Sequence, residues 1–265
     1  MFDCFIGIDY SGAQTALTRL RGLQVFAAFP GAQGAQCWQS PALNVQGGAA
    51  FWNRREVAEC LRNEARRGNR FLAGIGHGFS MPLSHFGQHQ LKAWPAFLNN
   101  FTTYWPTHQE RVVVDSLRRR LQRQRGAIPT AAAHGDGLRL TERWTPAARS
   151  VFLFGTHGAV AKAAHAGIPW LKWLRDEVGE GIHFWPFDGW RLPPDRPVVV
   201  EVHPALFRRR YPQGPRDSDE HDAYATARWM ADMAERGALP SCFDPPLSSM
   251  ERGVAELEGW MLGVR

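Results

Sequence analysis

Short apolar runs that end in turns alternate along the chain with longer amphipathic segments. The short runs predict buried strands. Four of the runs predict one strand each. Residues 20–29 predict two further strands with Gly22 in the connection between them, and residues 151–154 predict one more. The four single strands are predicted at residues 4–8, 71–75, 182–185 and 198–202. The run Val-Val-Val-Glu-Val at 198–202 is apolar on both faces, which is typical of a central strand.

Apolar residues that recur at three- and four-residue spacing predict the helices. Residues 158–178 carry Gly167-Ile-Pro169 near the middle, which predicts an interruption there. Residues 30–48 and 130–145 show no periodicity and are predicted to be irregular. The helices are predicted at 52–67, 91–104, 158–178, 219–234 and 249–261. Strands that alternate with helices predict an α/β fold.

The length of 265 residues allows one large domain or two small ones, and no linker or internal repeat divides the chain. We therefore expect a single domain over residues 1–265, with a helical or irregular insertion around 84–150. No run of 18 apolar residues occurs, so no membrane span is expected. The beginning of the chain has no basic segment, and the four cysteines form no Cys-x-x-Cys pair. These features favour a cytoplasmic protein without a zinc site or a disulfide framework.

The charge is less ordinary, because Lys and Arg number 31 against 25 acids and only three of the 31 are lysines. A coding bias explains such arginine use without any function. Arginine also binds phosphate in a bidentate manner, so a nucleic-acid partner is the other interpretation. Five arginines fall within residues 118–125 and indicate either a solvated helix face or loop, or a phosphate-binding patch. They are Arg118, Arg119, Arg120, Arg123 and Arg125.

Three acids stand out by position. Asp9 ends the first predicted strand, Glu201 lies inside a buried one, and Asp222 falls in the first turns of the following helix. Carboxylates gathered from distant strand ends hold Mg²⁺ or Mn²⁺ for phosphoryl chemistry. Each acid also has a structural interpretation: Asp9 forms a turn, Asp222 caps a helix dipole and Glu201 pairs with an arginine. Together they favour a metal site, in which their carboxylates are expected within roughly 4–8 Å of one another.

Six segments together resemble the predicted nucleases catalogued as domain of unknown function 429. They are FIGIDYSGA at 5–13, GIGHGFS at 74–80, AKAAHAGIP at 161–169, HFWPFDG at 183–189, EVHP at 201–204 and HDA at 221–223. The resemblance implies a ribonuclease-H-like fold, in which a mixed central sheet with three antiparallel opening strands carries helices on both faces. It also implies that Asp9, Glu201 and Asp222 are the catalytic and metal-binding acids, with Mg²⁺ or Mn²⁺ as cofactor.

The chain departs from the pattern of that family at one position. The resemblance implies an acid in a Gly-Ile-Asp-His-Gly-Phe-Ser turn, where this chain has Gly76. The loss of a carboxylate weakens a metal site. His77 or Asp219 is a candidate for compensation, while Ser11 and Lys162 are candidates for contacts with a water or a phosphate. His77 is otherwise a turn histidine, and Lys162 a solvated lysine.

Three functions follow in order of preference. The first is a metal-dependent phosphodiester hydrolase similar to a nuclease, weakened by Gly76. The second is an inactive nucleic-acid-binding or regulatory protein on the same fold. The third is a phosphotransferase similar to actin and sugar kinases, suggested by the opening strand that ends in Asp9, although no Asp-x-Gly-Gly phosphate loop occurs.

Overall fold

Six strands form one mixed sheet in the computed structural model, which describes residues 2–41, 51–125, 137–146, 148–154 and 160–265. The strands are β1 (Cys4–Asp9), β2 (Gln24–Ala28), β3 (Ala35–Cys37), β4 (Phe71–Ile75), β5 (His183–Phe184) and β6 (Val198–Glu201). Their order in the sheet is β3-β2-β1-β4-β6-β5. Strands β1, β2 and β3 pair antiparallel, whereas β1 with β4, β4 with β6 and β6 with β5 pair parallel.

Helices cover both faces of this sheet. Within the described residues they are α1 (Arg54–Arg66), α2 (Leu83–Gln88), α3 (Trp94–Tyr104), α4 (Val114–Arg125), α5 (Leu140–Arg143), α6 (Val160–Val178), α7 (Ser218–Glu235), α8 (Leu239–Cys242) and α9 (Ser249–Glu258). Helices α1, α3 and α6 pack together on one face, and α7 crosses β1 and β2 on the other. No helix among these has the length and apolar character that crossing a bilayer requires.

Side chains of β1 alternate between the two faces and so divide the core. Ile6 and Ile8 belong to the core under α1 and α6, while Phe5 belongs to the core under α7. Gly7 also faces α7, where a Cβ would lie 2.1 Å from the carbonyl oxygen of Ala223. This close approach explains why glycine is needed at that position and fixes α7 directly against the strand.

The α/β class is confirmed, and the strands predicted at residues 4–8, 71–75 and 198–202 are present within one residue of their predicted bounds. Two strand predictions are wrong. Residues 20–29 hold one strand, β2, rather than two, and the next strand, β3, lies in the segment 30–48 predicted as loop. Residues 151–154 form no strand. Strand β3 is partly exposed at the sheet edge, where backbone pairing with β2 holds it without an apolar pattern.

The interruption predicted in the helix around residues 158–178 is also wrong, because α6 continues through Pro169. Proline removes one backbone hydrogen bond from a helix interior. Here Ile168, Trp170 and Leu171 are buried beside it, so tertiary packing holds the helix together. The predicted irregular segment at 130–145 is described only from residue 137 onward, and α5 lies within that part.

Candidate functional site: an acidic edge beside helix α7

The carboxyl ends of β1 and β4 meet at one edge of the sheet and bring Asp9 beside Gly76. The two strands are in parallel register with Ile8 opposite Ile75, and the backbone N–H of Gly76 donates to the carbonyl oxygen of Ile8 at 2.9 Å. A Cβ on Gly76 would lie 3.4 Å from Oδ1 of Asp9. The position where the resemblance implies an acid therefore borders the Asp9 carboxylate directly.

Helix α7 contributes two further acids to this edge. Its start is fixed by Asp217, whose side chain accepts from the backbone N–H groups of Asp219 and Glu220 in a capping box. Because Gly7 packs against the turn of Ala223, Asp9 lies level with the first turns of the helix, which carry Asp219 and Asp222.

Electrostatics support this proximity. Burial raises the pKa of the Asp9 carboxyl well above its ordinary value, and the negative charges of Asp222 and Asp219 raise it further. Burial also raises the pKa of Asp222, while Arg208 counteracts the rise by hydrogen bonds from Nη1 at 3.1 and 3.3 Å. The edge thus concentrates negative charge that is only partly neutralised.

The prediction that Glu201 joins these acids is wrong. Glu201 pairs with Ile75 in the register of β4 and β6, and Ile75 belongs to the core under α1 and α6. Side chains on paired positions point to the same face, so Glu201 faces away from α7 and from Asp9. Its carboxylate instead accepts from Nη1 and Nη2 of Arg139 at 2.8 and 2.6 Å.

The ion pair of Glu201 is part of a buried polar cluster. Arg139 also donates from Nε to Glu142 at 2.9 Å, and the backbone N–H of Phe79 donates to Glu201. Burial alone would lower the pKa of Arg139, but the charges of Glu201 and Glu142 raise it above its ordinary value. The structural interpretation of Glu201 as the partner of an arginine therefore holds.

Of the three acids predicted to form the site, Asp9 and Asp222 lie at the same edge, and Glu201 does not. Val202 follows Glu201 and belongs to the core under α7, so β6 presents an apolar side chain on the face that Asp9 occupies. In the described part of the chain, no group of three or more His, Cys, Asp or Glu side chains is arranged to hold a metal ion. A metal at this edge would therefore depend on Asp9 and Asp222 together with water or substrate oxygens.

The structure places two of the remaining candidate residues at the acidic edge and a third away from it. Ser11 and Asp219 lie at the acidic edge, where a Cβ on Gly22 would be 3.0 Å from Oδ2 of Asp219 and 3.9 Å from Cβ of Ser11. Lys162 forms an ion pair with Asp115 at 2.6 Å on the side of α4 and α6. Its ammonium group is therefore already engaged.

His77 is a buried packing residue and does not face the acids. Its Nδ1 lies 2.9 Å from the carbonyl oxygen of Gly78, and its ring contacts Tyr10 edge to face at 4.4 Å between centroids. A Cβ on Gly167 of α6 would lie 2.3 Å from its Nε2. Burial lowers the pKa of His77 to about 4, so the ring is neutral near pH 7. Of the two interpretations of His77, the geometry therefore supports the turn histidine and not the compensating metal ligand.

Of the two interpretations of the arginine run, the structure shows a helix face, and phosphate binding stays a prediction. Arg119, Arg120 and Arg123 are exposed on α4, whereas Arg118 is half-buried with its guanidinium 4.9 Å from the ring centroid of Phe154. The side chain of Arg125 lies outside the described part of the structure. Three arginines are therefore free to meet solvent on one side of α4.

Two arginines were missed by the sequence reasoning. Arg139 lies in the segment predicted as irregular, and its i, i+3 spacing to Glu142 was the available signal. Arg208 begins an Arg-Arg-Arg run just before α7, a signal for positive charge near Asp222. Neither signal indicates the contacts made with Glu201 and Asp222, because Glu201 lies 62 residues after Arg139 and Asp222 lies 14 residues after Arg208.

Comparison with known proteins gave no match among protein-family models, among curated proteins or among solved structures.

Proposed function

We propose that the chain has a ribonuclease-H-like fold and acts as a metal-dependent phosphodiester hydrolase of nucleic acid, with Asp9 and Asp222 as its metal-binding acids. The observation that carries the proposal is the position of Asp9 at the carboxyl end of β1, a central strand that is parallel to β4, beside the acids of α7. The strand order, with β1 to β3 antiparallel and β4 and β6 parallel to β1, agrees with the fold that the sequence resemblance implies.

The residues at this edge fit a weakly held magnesium or manganese ion. Mg²⁺ is commonly bound by one or two carboxylates and completes its coordination with waters and substrate phosphates. Asp9 and Asp222 supply two carboxylates, and burial among like charges raises the pKa of both. A bound divalent ion would relieve this repulsion and would supply the charge that activates a water for attack on phosphorus.

The side chains of the chain have separate tasks in this proposal. Asp9 and Asp222 hold the cation, and Asp219 keeps the edge negative beside them. Arg208 holds Asp222 through a single nitrogen and is partly exposed, so its remaining N–H groups can donate to a substrate phosphate. The exposed arginines of α4 would bind the nucleic-acid backbone farther from the acids.

A second function is favoured by Gly76 and Val202. These residues occupy two strand ends on the face of Asp9, and neither offers a metal ligand. A protein that lacks metal ligands at these two positions would bind nucleic acid through its arginines without cleaving it. The phosphotransferase alternative gains no support, because the described residues form one sheet and not two related halves.

The experiment is a cleavage assay on single-stranded, duplex and branched DNA and on RNA, with Mg²⁺ and Mn²⁺ titrated separately. We expect metal-dependent cleavage that falls about tenfold or more in Asp9→Asn and in Asp222→Asn. The matched control is Asp195→Asn, because Asp195 is exposed and lies outside the acidic edge.

Binding of the same substrates is measured in parallel by fluorescence anisotropy. Binding without metal-dependent cleavage on any substrate would support the second function and would contradict the hydrolase. Cleavage that survives both substitutions would instead remove Asp9 and Asp222 from the proposed site.

A further inference from the structure

A cavity of about 730 Å³ opens at the end of α7 that is remote from the acids. Ala234 in the last turn of α7 lines it, and this residue is twelve positions after Asp222, or about 18 Å along the helix axis. The volume lies within the range of pockets that bind small organic molecules. No task in the proposed hydrolysis uses this space.

The walls of the cavity are aromatic and aliphatic, and its floor is built from buried side chains. Leu239 and Phe243 are buried, and Trp190 and Leu192 form a further wall. Trp185 is fully buried behind this surface and contacts both Trp190 and Phe243 edge to face, with centroids 5.4 and 5.2 Å away. The pocket is therefore formed before any ligand binds.

Trp190 is held on its two sides. Its indole Nε1 donates to Glu256 at 2.9 Å, and the guanidinium of Arg252 lies 4.7 Å from its ring centroid. Arg252 is itself paired with Asp244, which leaves those two charges balanced. Trp190 is thus fixed in orientation as an aromatic part of the cavity wall, which suits contact with a planar ring.

One charge in the lining has no counterpart. Arg191 is exposed at the cavity and has no hydrogen-bond or ion-pair partner within the described part of the chain. With Arg252 and Asp244 neutralising each other, the lining carries one net positive charge. A ligand with an apolar ring system and one anionic group would complement both the walls and the rim.

We infer that this cavity is a binding site for a small aromatic anion, such as an aryl carboxylate or aryl sulfonate, whose ring packs on Trp190 and whose anion binds Arg191. The inference is independent of the proposed hydrolase. Its probe is 8-anilinonaphthalene-1-sulfonate, whose fluorescence rises in apolar surroundings. The neutral analogue N-phenyl-1-naphthylamine tests the contribution of the charge.

We expect saturable binding of the sulfonate with one site per chain and about tenfold weaker binding of the neutral analogue. Arg191→Gln should weaken sulfonate binding by about tenfold, the value of one charge-assisted hydrogen bond, and should leave the neutral analogue unchanged. Arg209→Gln is the matched control, because Arg209 is exposed and lies outside the cavity. Ala234→Trp should fill the cavity and remove binding of both probes.

Three results would overturn the inference. One is the absence of saturable binding to the native chain. Another is equal weakening by Arg191→Gln and Arg209→Gln, which would mean that the anion is attracted by overall charge alone. The third is a change of molecular mass in Ala234→Trp by sedimentation, which would make a second copy of the chain the occupant. Circular dichroism confirms that each variant is folded before binding is measured.

Discussion

Gly76 is the single residue that most limits the acidic edge. Its φ is not in the left-handed region, and a Cβ there would meet Asp9 at an ordinary contact distance of 3.4 Å. An L side chain therefore fits without backbone strain. The absence of a carboxylate at this position reflects side-chain chemistry and not a steric need for glycine.

Gly76→Asp should raise the affinity for Mg²⁺ by about tenfold or more, because it adds a carboxylate beside Asp9. Without metal, the added negative charge beside Asp9 should lower the melting temperature at pH 7, and saturating Mg²⁺ should more than restore it. Gly76→Asn is the control of equal size, and it should show neither effect. Thermal unfolding with and without Mg²⁺ measures both. A Gly76→Asp protein that melts like Gly76→Asn at every metal concentration would place the acids too far apart to share an ion.

Gly167 and Gly87 are both helical glycines, but their surroundings differ. A Cβ on Gly167 would lie 2.3 Å from Nε2 of His77, whereas a Cβ on Gly87 would meet nothing within 4 Å. Gly167→Ala should therefore destabilise the protein by about 1–3 kcal/mol through overpacking. Gly87→Ala should stabilise it by up to about 1 kcal/mol through helix propensity. Urea unfolding measures both, and equal effects would contradict the packing of His77 against α6.

At the scale of elements, α4 presents three exposed arginines that suit contact with a polyanion. Its N-terminal half is tied to α6 by the ion pair of Asp115 with Lys162, and a Cβ on Gly12 would lie 2.1 Å from the carbonyl oxygen of Lys162. Gly12 follows Asp9 by three residues. The start of α4 and the acidic edge are thus connected through the loop after β1.

Arg120→Ala combined with Arg123→Ala should reduce the salt dependence of nucleic-acid binding. Each phosphate contact that is lost should lower the slope of log affinity against log salt by about 0.7–0.9. Arg236→Ala, at an exposed position just after α7, is the control. Anisotropy titrations at several salt concentrations give the slope. An unchanged slope in the double variant would show that α4 does not contact the nucleic acid.

At the scale of the whole molecule, buried histidines make stability depend on pH. His165 lies on α6, where its Nδ1 is 2.7 Å from the carbonyl oxygen of Ala161 and its ring contacts Trp105 and Phe154. Burial lowers the pKa of both His165 and His77 to about 4. In the unfolded chain both groups take up a proton near their ordinary pKa of 6.5.

At these two histidines the unfolded state therefore binds more protons than the folded state between pH 6.5 and about 4. Their contribution to the free energy of unfolding is complete above pH 6.5 and should be lost through this window by about 2.7 kcal/mol per pH unit for two protons. His165→Phe should therefore lower the slope of the free energy of unfolding against pH by about 1.4 kcal/mol per pH unit relative to the native chain. Urea unfolding at pH 7, 6 and 5 measures it, and a variant with the native slope would show that His165 titrates normally in the folded protein.

Local patterns in the sequence determined much of this architecture. The apolar runs around 4–8, 71–75 and 198–202 are short, as buried strands are, and too short for typical helices. Helices α1 and α7 are recognisable in the sequence as longer amphipathic segments. The turn after the first strand also marked Asp9 as an acid at a strand end. Such features follow from residues close together in the chain, so the chain itself carries the signal.

The tertiary structure alone decided which acids meet. The strand Val198–Glu201 is buried on both faces, so its sequence contains no alternation that would indicate where Glu201 points. The face was fixed by its register with β4, which sets Glu201 opposite Ile75, and by Arg139 from a segment 62 residues away. Register and long-range pairing depend on how whole elements pack. The sequence therefore determined that a carboxylate would be buried in the sheet, and packing determined that it would bind an arginine on the face opposite Asp9.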